Sequence, residues 1–289
     1  MLITCILANG HVLIEGMPGV AKTLMARLTA KLIDAKFSRI QFTPDLMPSD
    51  VLGTSVFSMK TSEFDFHPGP VFANIVLADE INRSPAKTQA ALFEVMEERQ
   101  ATIDGNTYKM DDVYTIIATQ NPIEQEGTYR LPEAQLDRFL FKVLVRFPTL
   151  DELSGIVDMT VGGGERRAEK VSDGEKLLRM RAVAREVPVA KAVKEYALKL
   201  LLNTHPEIPE SPEITRKYLR FGASPRAAQA LIAAARVHAL MEGRYNVSFD
   251  DIDFVAPACL RHRIALSFEG LSEGMTADGI LRELMKITK

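Results

Sequence analysis

The chain has 289 residues, 46% hydrophobic and 25% charged, with 35 Lys and Arg against 38 Asp and Glu for a net charge of −3. That length suits two domains of an ordinary globular protein, and the charge leaves no surplus of cations to neutralise nucleic-acid phosphates. No run nears the roughly 20 apolar residues that cross a bilayer, so no membrane insertion is expected.

The opening "MLITCILANG" reads as a short helix leading into a strand, and it lacks the basic n-region of a signal peptide. Cys5 and Cys259 lie far apart with no CxxC spacing, which fits two buried thiols in a reducing, cytoplasmic compartment. The five histidines show no metal-ligand spacing. Short apolar runs then recur: "HVLIE", "SRIQF", "NIVLAD", "VYTIIAT" and "LFKVLVRF". Continuous runs rich in β-branched residues predict strands buried on both faces of a mostly parallel sheet. Between them, Thr23 to Asp34 repeats Leu24, Leu28 and Leu32 at a spacing of four. Pro85 to Glu97 places proline at a first helical position and carries Leu92, Val95 and Met96. Alternating strands and helices predict a three-layer α/β domain.

Two pieces interrupt that alternation. "ATIDGNTYKM" sets Asp104-Gly105 between alternating flanks, a hairpin signal. "TSVFSMKTSEFDFHPGP" reads as a second hairpin ahead of "VFANIVLADE". After Pro148 the texture turns helical, following a glycine-rich loop, "VGGGERRAEK". The expected division is an α/β core over 1–148 and an all-helical domain over 149–289.

Five stretches carry chemistry. "GMPGVAKT" follows a strand and opens a helix, the arrangement that turns backbone N–H groups and the helix dipole toward a phosphate. Gly16 and Gly19 permit tight turns, Lys22 suits the β- and γ-phosphates, and the Thr23 hydroxyl suits Mg²⁺. Ala21 stands where the usual pattern has glycine; a nearly helical φ is expected there, which alanine tolerates. "NIVLADE" ends a buried strand in Asp79, suited to hold Mg²⁺ through water, and Glu80, suited to deprotonate the attacking water. Asn121, before Pro122, is placed to hydrogen-bond that water, an Asn-Pro turn being the plainer alternative. Arg138 ends a short helix begun at Pro132, either to stabilise transition-state charge or to pair with Asp137 or Glu133. Arg226 sits in the first turn of a helix capped by Ser224, where a cation opposes the dipole unless it faces an anion. His262 in "LRHRIAL" is expected to be packed or exposed on a helix, with an interdomain contact as the alternative.

In this order the stretches "GMPGVAKT", "IVLADE", "ATQNP", "LDRF" and "GASPRA" resemble the AAA+ ATPases. The longer blocks "ADEINRSPAKTQAALFEVMEE" and "ATQNPIEQEGTYRLPEAQLDRFLF" are similar to the MoxR family within them. The resemblance implies an AAA+ P-loop αβα domain followed by a small all-α lid. It implies binding of ATP by Gly16, Met17, Pro18, Gly19, Val20, Ala21, Lys22, Thr23 and Leu24, with Thr23 and Asp79 toward Mg²⁺. Asp79 and Glu80 would be Walker B, Asn121 sensor 1, Arg226 sensor 2, and Arg138 an arginine finger acting on a neighbouring subunit. Glu80, Asn121, Arg138 and Lys22 are then the catalytic set. The resemblance further implies a homo-oligomeric ring, commonly a hexamer, chaperone-like remodelling, and a von Willebrand factor A domain partner. The resemblance implies a few tens of residues before the block matching "LANGHVLIEG", including a segment that helps hold adenine, and by that resemblance the sequence as it stands is expected to lack it. Two other readings stay open: a nucleic-acid motor, which the charge of −3 disfavours, and an ATP-binding scaffold without turnover.

Overall fold

The computed structural model describes residues 1–121, 129–161 and 168–289. Most of the expected loop "VGGGERRAEK", and Pro122, lie outside the described residues. The chain runs α1 (Leu2–Leu7), β1 (Val12–Gly16), α2 (Lys22–Leu32), β2 (Phe37–Gln41), α3 (Pro48–Leu52), β3 (Gly53–Ser58), β4 (Glu63–Pro68) and β5 (Ile75–Asp79). A 3-10 turn (Ile81–Arg83) leads to α4 (Ala86–Glu98), β6 (Gln100–Ile103), β7 (Asn106–Lys109), β8 (Thr115–Gln120), α5 (Glu133–Leu136) and β9 (Phe141–Val145). Then come α6 (Leu150–Val161), α7 (Gly174–Glu186), α8 (Lys191–Leu202), α9 (Glu213–Tyr218) and β10 (Leu219–Phe221). The chain closes with α10 (Pro225–Met241), α11 (Phe249–Leu260), β11 (Ala265–Leu266), α12 (Phe268–Ser272) and α13 (Ala277–Thr288). Two compact units result: residues 13–130 with 143–178, and residues 1–12 with 131–142 and 179–289.

The main sheet has the order β2-β5-β8-β1-β9. β2, β5 and β8 run parallel, with Gln41 opposite Asp79 and Ala78 opposite Ala118. Burial sorts the strands by position. Every residue of β5 is buried, as is β8 up to Thr119, in keeping with their continuous apolar runs. β2 and β9, at the edges, are largely half-buried or exposed, so the expectation of burial on both faces fails there. An edge strand has one neighbour and keeps part of its surface in water.

The helix expected over Thr23 to Asp34 forms, but its leucine stripe is not its buried face. Leu24 is 52% exposed, whereas Ala26 and Ala30 are buried and Ile33 joins them at the end. α2 packs on β5 and buries these alanines, whose small side chains let a helix approach its neighbours closely. Pro85 takes the cap position of α4 and not its first turn, while Leu92, Val95 and Met96 are buried as expected. Both expected hairpins are antiparallel: β3 with β4, and β6 with β7 around Asp104 (φ 50°) and Gly105 (φ 82°). An aromatic stack joins them, with Phe66 and Tyr108 ring centroids 4.0 Å apart.

The second unit is helical. α10 buries Ala227, Ala230, Ala234 and Ala235, and packs on α11. Asp251 ties the two together. Its carboxylate is buried and accepts from Arg244, His238 and the Ser248 backbone N–H. Burial alone would raise the Asp251 carboxyl, but these donors hold it far below the usual range. Cys5 and Cys259 are free and buried, and burial pushes the Cys259 thiol up to about 12. Among the described residues no helix is long and apolar enough to cross a membrane.

The packing of α2 predicts opposite outcomes for two substitutions. Ala30→Leu should overpack the buried face of α2 and cost about 1–3 kcal/mol. Leu24→Ser should change stability by less than about 0.5 kcal/mol. Urea midpoints of the two variants check both.

Candidate nucleotide site

Residues Met17, Pro18, Gly19, Val20 and Ala21 connect β1 to α2. Gly16 ends β1 against β9: a Cβ there would meet the Val145 carbonyl oxygen at 2.8 Å. Gly19 is needed for its backbone, with φ +84°. Ala21 departs from expectation. Its φ of 58° and ψ of 24° are left-handed, not helical. That conformation costs an L-residue about 1–2 kcal/mol, so the flanking structure must hold it. It directly precedes α2, whose first N–H groups lack helical partners and favour an anion.

Lys22 is the first residue of α2, and its Nζ donates to the Gly16 carbonyl at 2.6 Å, folding the ammonium back across the loop. Desolvation lowers the Lys22 pKa, opposed by the pull of Asp79 and Glu80. The loop lysine and the strand-end carboxylates therefore share one electrostatic field. Thr23 follows, half-buried, and Leu24 is exposed on the first turn.

Asp79 ends β5 almost wholly buried, and a carboxylate there must be partnered. Its Oδ1 accepts from Thr119 Oγ1 at 2.6 Å. Its Oδ2 accepts from Arg39 Nε at 3.1 Å and Nη2 at 2.7 Å. Glu80 turns left-handed (φ 55°, ψ 49°), and its backbone N–H donates to the same Thr119 hydroxyl at 2.9 Å. Its Oε2 accepts from Arg83 Nη1 at 2.9 Å and Gln41 Nε2 at 3.2 Å. Arg39 also donates to Gln41 Oε1 at 2.6 Å, closing a network across the ends of β2, β5 and β8.

Thr119, Arg39, Gln41 and Arg83 were not singled out in the sequence. Arg39 and Gln41 left one trace, the alternation of polar residues in "SRIQF" that puts both on one face of β2. Asn121 follows β8 directly and is half-buried.

Arg138 and Arg226 belong to the helical unit. Arg138 lies just past α5, and partial burial followed by the charge of Arg226 lowers its pKa. The two guanidiniums thus lie within each other's field. The carboxylates expected as alternative partners of Arg138 have other bonds: Glu133 pairs with Arg220, and Asp137 with Arg263.

A loop from strand to helix, a buried Asp with its Glu at the end of a parallel strand, and a helical unit are the layout of the AAA class of ATPases. Residues 11–141 match the family model of the ATPase family associated with various cellular activities (AAA), and residues 212–284 match the AAA lid domain. YeaC of Bacillus subtilis is 44% identical, covering 99% of this chain and 87% of its own. Chaperone MoxR1 of Mycobacterium tuberculosis is 43% identical over 97% of this chain and 74% of its own. Protein MoxR of Methylorubrum extorquens is 29% identical over 92% and 82%. A crystal structure of a Cytophaga hutchinsonii protein, 39% identical, superposes with a TM-score of 0.91 over 99% of this chain and 87% of that one. The chain belongs to the MoxR family of AAA ATPases.

Thr119 gives the site its first test. Thr119→Val keeps the shape but strips partners from a buried carboxylate oxygen and from the Glu80 N–H. It should cost about 1–3 kcal/mol in urea denaturation. An unchanged midpoint would show that neither bond contributes.

Proposed function

We propose that this chain is a Mg²⁺-dependent ATPase that uses hydrolysis for chaperone-like remodelling or maturation of partner proteins. The observation that carries the reading is geometric: the loop from β1 into α2 folds Lys22 back onto Gly16, and β5 ends in the Asp79–Glu80 pair, both held by Thr119. A lysine among loop amides and a carboxylate pair are what a triphosphate and its cation require. The oxygen donors Thr23 and Asp79 fit Mg²⁺, a hard cation. Magnesium held there would neutralise charge on the β- and γ-phosphates. The loop from Gly16 to Leu24 would cradle the phosphates, with Lys22 contacting the terminal two. Glu80 would leave Gln41 and Arg83 to accept a proton from water that Asn121 helps orient.

Arg138 would complete the nucleotide site of an adjacent copy in a ring, taken as a hexamer. Arg226 would face the nucleotide from the helical unit and report its state through α10. In this reading residues 1–148 bind nucleotide and residues 149–289 act as the lid. The chaperone role rests on the likeness to chaperone MoxR1. A protein with a von Willebrand factor A domain is the proposed partner, and the cytoplasm, where free buried thiols persist, the proposed compartment.

Glu80→Gln should cut phosphate release by about 10²-fold or more while nucleotide binding persists. Full turnover in that variant removes Glu80 from the chemistry. Arg138→Ala subunits should be inactive alone and regain phosphate release when mixed with Glu80→Gln subunits, which keep Arg138. Failure to regain it withdraws the action in trans.

A further inference from the structure

Arg261, His262 and Arg263 follow α11, and all three close on one short stretch of backbone in the same compact unit. Arg263 is almost fully buried. Its Nε donates to Asp137 Oδ1 at 2.7 Å, and its Nη2 to the carbonyls of Asp137 at 2.9 Å and Phe139 at 2.7 Å. Its Nη1 donates to the Leu140 carbonyl at 3.2 Å and to the Cys259 carbonyl of α11. A guanidinium has five N–H groups, so all are engaged, four of them on residues 137–140. His262 Nε2 donates to the Phe139 carbonyl at 3.0 Å, and Arg261 Nη1 to that of Lys142 at 3.2 Å. Arg261 is itself anchored by Asp278 at 2.9 Å. Burial, then the neighbouring positive charges, pushes the His262 pKa far down, so the ring is neutral and Nε2 carries its proton.

Asp137 has a second set of bonds. Ser224 Oγ lies 2.9 and 2.8 Å from its two oxygens, and Ser224 caps α10, whose first turn carries Arg226. Arg226 Nη1 is 3.9 Å from the same carboxylate. The next residue along the chain from Asp137 is Arg138.

A buried ion pair is weak evidence for stability, since apolar packing often serves as well. A five-donor fork closed on the Asp137 carboxylate and on the carbonyls of Asp137, Phe139, Leu140 and Cys259 does something packing does not: it fixes the path of the backbone.

We propose that Arg263 is a positioning residue for phosphate-bond cleavage: by gripping residues 137–140 it sets where Arg138 presents its guanidinium, and through Asp137 it joins Arg138 to Arg226 at the start of α10. The proposal rests on the reading of Arg138 as acting on a neighbouring nucleotide. Lysine keeps the charge but offers three donors on a flexible stem, so Arg263→Lys is not conservative here.

The test uses mixed full-length subunits. Acceptors carry Arg138→Ala and keep Glu80; donors carry Glu80→Gln and keep Arg138. Phosphate release then reports the donor's arginine acting on the acceptor's nucleotide. Arg263→Lys placed in the donor should lower that rescue at least about tenfold more than the same change placed in the acceptor, since misplacing a catalytic group by about 1 Å can cost 10²-fold. Equal loss from both placements means a merely structural role and overturns the proposal, as does no loss from either. If the donor without any Arg263 change gives no rescue, the trans reading of Arg138 falls and the proposal with it, a result distinguishable because no Arg263 variant enters it. Should the Arg263→Lys donor fail to fold by circular dichroism, Asp137→Asn, which keeps the side chain's shape, takes its place with the same expectations.

Discussion

A carboxylate at the end of a fully buried strand cannot be left alone, and Asp79 is that carboxylate. Its neighbours are dictated by the parallel register. β2 brings Arg39 and Gln41 to one side, and β8 brings Thr119 to the other. Thr119 then uses its second capacity to hold the Glu80 backbone N–H, so one hydroxyl fixes both acidic residues. A parallel sheet also sets the ends of its strands along one edge, which is where α/β folds bind ligands. Burial, register and site are therefore one constraint seen at three scales.

Around that edge, charge is balanced within the protein. Arg39 neutralises Asp79, Arg83 lies on Glu80, and Lys22 folds onto the Gly16 carbonyl. On the proposed reading, nucleotide and magnesium take over these partners. Strain accompanies the balance: Ala21 and Glu80 are both left-handed, one before α2 and one after β5. On the same proposed reading, the two strained positions flanking the charged cluster hold it ready for a ligand.

Much of this was legible in the sequence, for physical reasons that differ by element. The central strands were readable because burial on both faces writes an unbroken apolar run, as in "NIVLAD" and "VYTIIAT". The Asp104-Gly105 hairpin was readable because its turn demands those residue types. Misreadings came where local pattern and tertiary packing part. The leucines of α2 formed a stripe, yet close approach to its neighbours selected Ala26 and Ala30. Alanine at position 21 was assigned the backbone it prefers, while the loop imposes another. The partners of Asp79 were hidden because strand order joins residues 40 positions apart. Arg263 reaches 126 positions back to Asp137, and no periodicity encodes that.

The central claim is that a triphosphate with magnesium binds where Lys22, Asp79 and Glu80 share a field. Calorimetric titration of the full chain with ATP and Mg²⁺, beside Lys22→Met, tests it most directly. The account predicts a saturable heat for the native chain and an affinity at least about tenfold weaker for Lys22→Met, from the loss of a charge-assisted hydrogen bond worth about 1.5–3 kcal/mol. No heat with a folded native chain, or equal affinity in the variant, would contradict it.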